Sequence, residues 1–390
     1  MTLLVIDAGT LLTPHERFVP GRVLAVNGRV EAAGLVSDVI PPDSGNLTHV
    51  NAPNLTLVPG FIEPHIHGCA GIDVMDATAE SIGLISKTLV RHGTTSFLPT
   101  TVSSSPEMLE AVLGRLSNFI GKDLGGACPL GIHLEGPFLN VEKRGTHQAG
   151  TILPPNPGLL SEWVRCSQNT LRLLTMAPEV KGASEMASQA RSLGITVGMG
   201  HSNASLEEAR TAADQGTHYA VHTFNAMRPF SHREPGIVGA VLSDDRIFAE
   251  IIADGAHVSP EVVRIFARAK GPSRMVLATD ATSATGMPDG RYALGTIPVN
   301  VTEGVCRDDE GRLAGSTLTQ DRALRNLIHW SGLPLSDAIC SVTSNPAEAL
   351  ALDDRGYIRP GARADFVLLD ENLTICATYV GGDLVFKRSP

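Results

Sequence analysis

The 390-residue chain has no CxxC pair, no excess of basic residues, no apolar run of membrane-spanning length and no glycine-rich phosphate turn. Each absence excludes something. The six cysteines, Cys69, Cys128, Cys166, Cys306, Cys340 and Cys376, are irregularly spaced. They read as reduced thiols of a cytosolic protein, not as a disulfide framework. The formal net charge of −10 argues against nucleic acid or an anionic membrane as the main partner. It leaves room for a small anionic substrate, because a local Arg or His outweighs the global field at contact distance. No stretch approaches a transmembrane helix. Residues Met1 to Thr13 lack a basic n-region and are interrupted by Asp7, so no signal peptide is expected and the location is read as cytoplasmic.

Hydrophobic residues make up 43% and charged residues 18%, the balance of a globular protein. The length suits one barrel with a smaller domain. Leu3 to Ile6 and Arg22 to Val26 read as short strands, with turns at Gly21 and Asn27-Gly28. Asp365 to Leu369 and Thr378 to Phe386 read likewise, with a hairpin at Gly381-Gly382. Residues 1–56 and 356–390 are therefore expected to form one small β-sandwich domain, and residues 57–355 the catalytic part. There, apolar strands at Thr56–Ile62, Thr95–Pro99, Leu130–Leu134, Leu171–Met176, Thr196–Met199, Tyr219–Thr223, Ile247–Ile252 and Met275–Ala278 alternate with helical patterns. Ala79–His92, Ser205–Gln215 and Pro260–Lys270 are examples of those patterns. This is the signature of an α/β fold of the (β/α)8 TIM-like type. An open doubly wound sheet would want a Gly-rich turn after its first strand, and none is present.

The polar residues of interest follow these strands. His65 and His67 come after the first, and residues two apart on an extended segment face the same side. Glu135 follows the third strand, His201 the fifth, His222 the sixth and Asp280 the eighth. In a barrel these ends open on one face, where barrel enzymes keep their sites. Imidazole and carboxylate suit zinc or another divalent first-row ion such as Fe2+, Co2+ or Mn2+, and the set is large enough for one or two ions. Cys69 reads as packing. His92 and His329 read as helix residues.

These positions carry a family resemblance. The chain resembles the N-acetylglucosamine-6-phosphate deacetylases of the amidohydrolase superfamily through Pro59-Gly-Phe-Ile, His65-x-His67-Gly68, His133-Leu-Glu-Gly-Pro-Phe138 and Lys143-Arg-Gly-Thr-His147. Gly200-His-Ser202, His222-Thr-Phe-Asn-Ala-Met227, His232-Arg-Glu-Pro-Gly236, Ala253-Asp-Gly-Ala-His257, Thr279-Asp-Ala-Thr282 and Leu313-Ala-Gly-Ser-Thr317 extend it. Many relatives have Asp where this chain has Glu63.

The resemblance implies that Glu135, His201 and His222 hold one metal and that His65 and His67 hold a second. It implies Asp280 as general base and then acid, and His147 as the group that assists at the amide oxygen. Asn225, the Ala226 backbone, Arg233 and His257 would bind sugar and phosphate, and Ala314, Gly315 and Ser316 would line the sugar. A guanidinium fork matches phosphate geometry. Read outside its motif, Arg233 is a surface partner for a neighbour such as Glu234. In the family the phosphate-binding Arg reaches the partner's site across a homodimer. The implied reaction converts N-acetyl-D-glucosamine 6-phosphate to D-glucosamine 6-phosphate and acetate. The alternatives are a deacetylase for the galactosamine epimer, a different amidohydrolase and a non-catalytic protein on the same barrel.

Overall fold

A computed structural model describes residues 2–42, 47–76 and 78–389. Met1, residues 43–46 and Pro390, which belong to the expected β domain, lie outside the described residues, as does Ala77 in the barrel part. The barrel strands are β1 (Phe61–Ile66), β2 (Thr94–Thr101), β3 (Ile132–Glu135), β4 (Leu171–Met176), β5 (Thr196–Met199), β6 (Tyr219–Ala220), β7 (Phe248–Ile251) and β8 (Met275–Leu277). They pair in parallel in chain order within a nine-stranded sheet, whose extra member is the two-residue strand Cys128–Pro129 beside β2. The circle closes where Ile66 bridges Ala281 and the Asp280 N–H donates to the His65 carbonyl at 3.0 Å. β1, β2, β3 and β7 are buried along their whole length. Both faces of these strands are covered, so the polar side chains they carry, Glu63, His65, His133, Glu135 and Glu250, are buried as well.

Two strand expectations need correction. The segment 56–62 is divided. Residues up to Pro59 end a 13-residue strand, Leu47–Pro59, of another sheet. Gly60 then carries the chain into β1 with its N–H on the Asp365 carbonyl at 2.9 Å. A Cβ on Gly60 would stand 2.2 Å from Thr95 Oγ1, so no other residue fits this step. The sixth strand ends at Ala220 and not at Thr223, because His222 turns left-handed at φ 31°.

The helices follow their caps. Leu206–Asp214 begins with a capping box between Ser205 and Glu208, worth about 1 kcal/mol. Pro260–Lys270 starts with proline in its first turn, where the missing N–H costs nothing. Their apolar faces, such as Val263 and Phe266, pack outside the barrel.

The two chain ends meet in one eight-stranded sheet. Leu3–Leu12 pairs antiparallel with Gly21–Val26 and parallel with Leu47–Pro59. Leu47–Pro59 pairs with Phe366–Leu369, and the hairpin Ile375–Val380 to Asp383–Lys387 completes that side. Gly21 is not a turn. It lies in the strand, where a Cβ would meet Leu11 Cβ at 2.3 Å, and the turn is Asn27-Gly28 alone. A three-stranded antiparallel sheet, Gly290–Leu294, Ile297–Thr302 and Val305–Asp308, follows β8 and was not foreseen. It borders the cavity described next.

Candidate active site

The chain leaves three barrel strands through residues with positive φ. These are His201 after β5 (46°), His222 after β6 (31°) and Asp280 after β8 (50°). A left-handed non-glycine costs roughly 1–3 kcal/mol and persists only where its surroundings hold it. Here the holding bonds are visible. The Asn140 N–H donates to the His201 carbonyl, the His222 N–H to Glu250 Oε2 and the Asp280 N–H to the His65 carbonyl.

These residues, with His65, His67, Glu135 and His147, converge. All the imidazoles are buried, as is Glu135. Glu135 Oε1 lies 3.1 Å from Nε2 of both His201 and His222 and 3.5 Å from Nε2 of His65. Its Oε2 lies 3.3 Å from His67 Nε2 and 3.5 Å from His147 Nε2. Asp280 Oδ1 is 3.1 Å from His67 Nε2 and 3.6 Å from His65 Nε2. The ligand atoms form two clusters, His65–His67–Asp280 and Glu135–His147–His201, with Glu135 facing both.

Hydrogen bonds on the far side of four of the rings sort these histidines; His222 Nδ1 is buried without a partner. Nδ1 of His65, His67 and His201 faces an acceptor: Glu250 Oε2 at 3.0 Å, the Thr100 carbonyl at 3.1 Å and the Lys143 carbonyl at 2.9 Å. Each neutral ring therefore carries its hydrogen on Nδ1 and turns an Nε2 lone pair into the site, as a metal ligand must. His147 is opposite. Its Nδ1 accepts the Ser103 N–H at 3.2 Å, so its neutral ring presents an N–H to the site. That distinguishes a proton or hydrogen-bond donor from a ligand, although His147 stands within ligand distance of Glu135.

The donor set fits a divalent cation. His65 Nε2 is buried without a hydrogen-bond partner. The Nε2 atoms of His201 and His222 face each other at 3.1 Å while both aim at one carboxylate oxygen. Burial disfavours a charged His67, yet Asp280 and Glu135 outweigh it and push its pKa up to about 9. Burial likewise opposes ionisation of Asp280 and Glu135, but the surrounding histidines hold both carboxyls well below the usual range. Such a site favours positive charge at its centre. Glu63 behaves differently. Burial pushes it up to about 8, and its Oε1 accepts the His65 and Thr279 N–H groups. It braces β1 against β8 from behind the ligands.

A cavity of about 440 Å3 opens over the clusters. Asn225, Ala226, His257 and Gly315 line it with His147 and Asp280. His257 Nδ1 is tied to Asp254 Oδ2 at 2.7 Å, which leaves its Nε2 for a ligand. Ala314 and Ser316 stand behind the wall. Ser316 Oγ donates to the Thr279 carbonyl and its N–H to the Asp280 carbonyl, so this stretch supports Asp280. Arg233 is exposed and does not line the cavity of its own chain, and Glu234 pairs with Arg228 at 3.2 Å instead. Cys69 is buried packing, and His92 pairs with Asp321. Sequence reasoning missed Arg307 and Arg312, which line the cavity from the three-stranded sheet and its following loop. Glu250 behind His65 was missed too. A larger cavity of about 630 Å3 beside Leu206–Asp214 contains neither metal-ligand cluster.

Residues 56–385 match the model of the Amidohydrolase family. The chain belongs to the amidohydrolase family. Superfamily members are metal-dependent, which agrees with the two clusters. The N-acetylglucosamine-6-phosphate deacetylase of Vibrio furnissii is 38% identical over 334 residues, 85% of this chain and 84% of that protein. The N-acetylgalactosamine-6-phosphate deacetylase of Escherichia coli O157:H7 is 38% identical over 329 residues, 84% of this chain and 87% of that protein. A solved structure of a mutant N-acetyl-D-glucosamine-6-phosphate deacetylase from Mycobacterium smegmatis, in complex with N-acetyl-D-glucosamine-6-phosphate, superposes with a TM-score of 0.92 at 35% identity. It covers 99% of this amidohydrolase and 100% of that chain.

Proposed function

We propose that this amidohydrolase hydrolyses the acetamide of N-acetyl-D-glucosamine 6-phosphate to D-glucosamine 6-phosphate and acetate, as a cytoplasmic homodimer. The observation that carries the reading is the division of labour among the buried histidines. His65, His67 and His201 present lone pairs, whereas His147 presents an N–H into the same cavity. The deacetylases named above support the substrate. Glu135, His201 and His222 would hold one Zn2+ or similar ion, and His65 and His67 a second. A bound divalent ion would polarise the amide carbonyl and lower the pKa of water.

The chain's own groups do the rest. Asp280 takes the proton of the attacking water and returns it to the nitrogen, because an amine leaves readily only when protonated. His147 donates to the amide oxygen as negative charge grows there. Asn225, the Ala226 backbone and His257 hold sugar and phosphate, with Gly315 at the wall. Arg233 is exposed and does not line its own cavity, so in this reading it serves the cavity of a partner subunit. In this reading the barrel begins near residue 60 and not at 57, because Leu57–Pro59 pair with Phe366–Leu368 in the sheet of the small β domain, and it runs to about residue 355.

An acetate-release assay over phosphorylated and unphosphorylated N-acetyl sugars, glucosamine and galactosamine epimers alike, tests the proposal when metal is measured on the same sample. The expected result is fastest turnover of N-acetylglucosamine 6-phosphate by metal-loaded protein. Equal turnover of the unphosphorylated sugar, or full activity in verified metal-free protein, would overturn it.

A further inference from the structure

β7 is an apolar strand, Phe248–Ile251, interrupted by one acidic residue, Glu250, which is fully buried. Its three described side-chain hydrogen bonds are specific. Oε2 accepts from His65 Nδ1 at 3.0 Å and from the backbone N–H of His222 at 3.1 Å. Oε1 accepts the hydroxyl of Tyr219, also fully buried, at 2.8 Å. No lysine or arginine is among them. Tyr219 comes from β6 and His65 from β1, so the carboxyl reaches across the barrel interior. Burying an acidic side chain in an apolar strand is costly, and no fold requirement of β7 calls for one. His65 is the residue that gains, because an acceptor on Nδ1 fixes the tautomer that leaves Nε2 free and restrains rotation of the ring. The bond to the His222 N–H steadies, at the same oxygen, the left-handed turn that places a ligand of the other cluster.

We infer that Glu250, held by Tyr219, is a positioning residue that sets the metal affinity of the site by orienting His65 and the turn at His222. The inference rests on the metal reading above and adds residues to which nothing in that reading gives a role. Partners on the outer nitrogen of a ligating histidine are worth roughly tenfold to a hundredfold in metal affinity.

The test is Zn2+ binding by the full chain, measured as metal per chain and by chelator competition, alongside a circular dichroism spectrum for fold. E250A is expected to weaken binding of at least one Zn2+ by about 10–100-fold. E250Q should lose less, because its amide oxygen still accepts from Nδ1. Y219F, which leaves the carboxyl but frees its Oε1, should fall between wild type and E250A. Since Glu250 acts largely through His65, E250A placed on H65A should weaken the remaining Zn2+ far less than it weakens wild type. Folded E250A, E250Q and Y219F that bind Zn2+ as wild type does would overturn the inference. So would an E250A loss of the same size with and without His65. If E250A fails to fold, E250Q and Y219F carry the decision. A wild-type chain that binds no Zn2+ sinks the metal reading and this inference together, whereas unaltered variants beside a Zn2+-binding wild type sink this inference alone.

Discussion

The backbone N–H of Ser103 donates to Nδ1 of His147 at 3.2 Å. That one bond gives His147 the tautomer opposite to His201, whose Nδ1 faces the Lys143 carbonyl, although the two rings touch edge to face with centroids 4.7 Å apart. Distance alone places both with Glu135 in one cluster of possible metal ligands. Tautomer separates them, and the separation has consequences.

His147→Asn should keep the full metal content and lose turnover by about a hundredfold or more, the scale of one lost donor to a developing oxyanion. His201→Asn should lose metal. Elemental analysis and acetate release on the two purified variants check this. Metal loss in the His147 variant would make it a ligand.

Asp280→Asn keeps the shape of the side chain and removes the proton carrier. Its carboxyl is only slightly accessible, with Oδ1 3.1 Å from His67 Nε2. Turnover should fall at least about a hundredfold, while binding of the phosphorylated sugar, measured by calorimetry, should persist. A near-normal rate would mean that another group moves the proton.

Much of this was legible in the sequence. The barrel strands are short and bounded by polar turns; His65 and Glu135 stand at the ends of theirs, and His67, His201, His222 and Asp280 follow theirs. What was hidden has physical reasons. The left-handed turns at His222, Phe224 and Ala226 fall on non-glycine residues, so nothing in composition ends β6 early. Glu250 sits singly in an apolar strand, and only the folded barrel brings it to His65. The three-stranded sheet did leave a trace. Ile297–Thr302 alternates buried and partly or fully exposed positions, and Glu303-Gly304 makes its turn. That period-two pattern signals the hairpin, while only the folded chain brings Arg307 to the cavity. Arg233 shows the opposite limit, since its motif is readable while the folded chain leaves it exposed and outside its own cavity.

Away from the site, Asp321 links the helix Gln320–Ser331 to His92. It accepts from His92 at 3.1 Å, Thr319 at 2.6 Å and Arg325 at 2.9 Å. Burial alone would raise its pKa, but His92, Thr319 and Arg325 outweigh burial and hold it well below the usual carboxylate range. A depressed native pKa contributes stability above the unfolded value, near 3.9, that is lost as pH falls through the native one. Asp321→Asn should therefore cost about 1.5–3 kcal/mol in urea unfolding at pH 7. The gap from wild type should stay level down to about pH 5 and narrow below about pH 4. A gap that widens with acidification would contradict the assignment.

The last prediction concerns Arg233 and its place between subunits. A doubly charged phosphate in an acidic protein needs a local cation, and a charged hydrogen bond of this kind is worth about 1.5–3 kcal/mol. Arg233→Ala should lower kcat/KM for the phosphorylated sugar by roughly tenfold to a few hundredfold and affect the unphosphorylated sugar far less. Arg233 is exposed outside the cavity of its own chain, whereas Arg307 and Arg312 line it. Arg312 is engaged by Asp308 at 2.7 Å and Glu310 at 2.9 Å, and is thereby compromised as a phosphate anchor. If Arg233 serves a partner, co-expressing Arg233→Ala subunits with Asp280→Asn subunits restores activity. In the mixed dimer the subunit that keeps Asp280 receives an intact Arg233 from its partner. If Arg233 serves its own chain, every subunit in the mixture lacks either its anchor or its proton carrier, and activity stays at the level of the separate variants. Recovery toward the statistical share of mixed dimers supports the crossed arrangement. No recovery, with mixed dimers verified by mass, assigns Arg233 to its own chain, whereas an Arg233→Ala variant without the phosphate-specific loss moves the contact to Arg307.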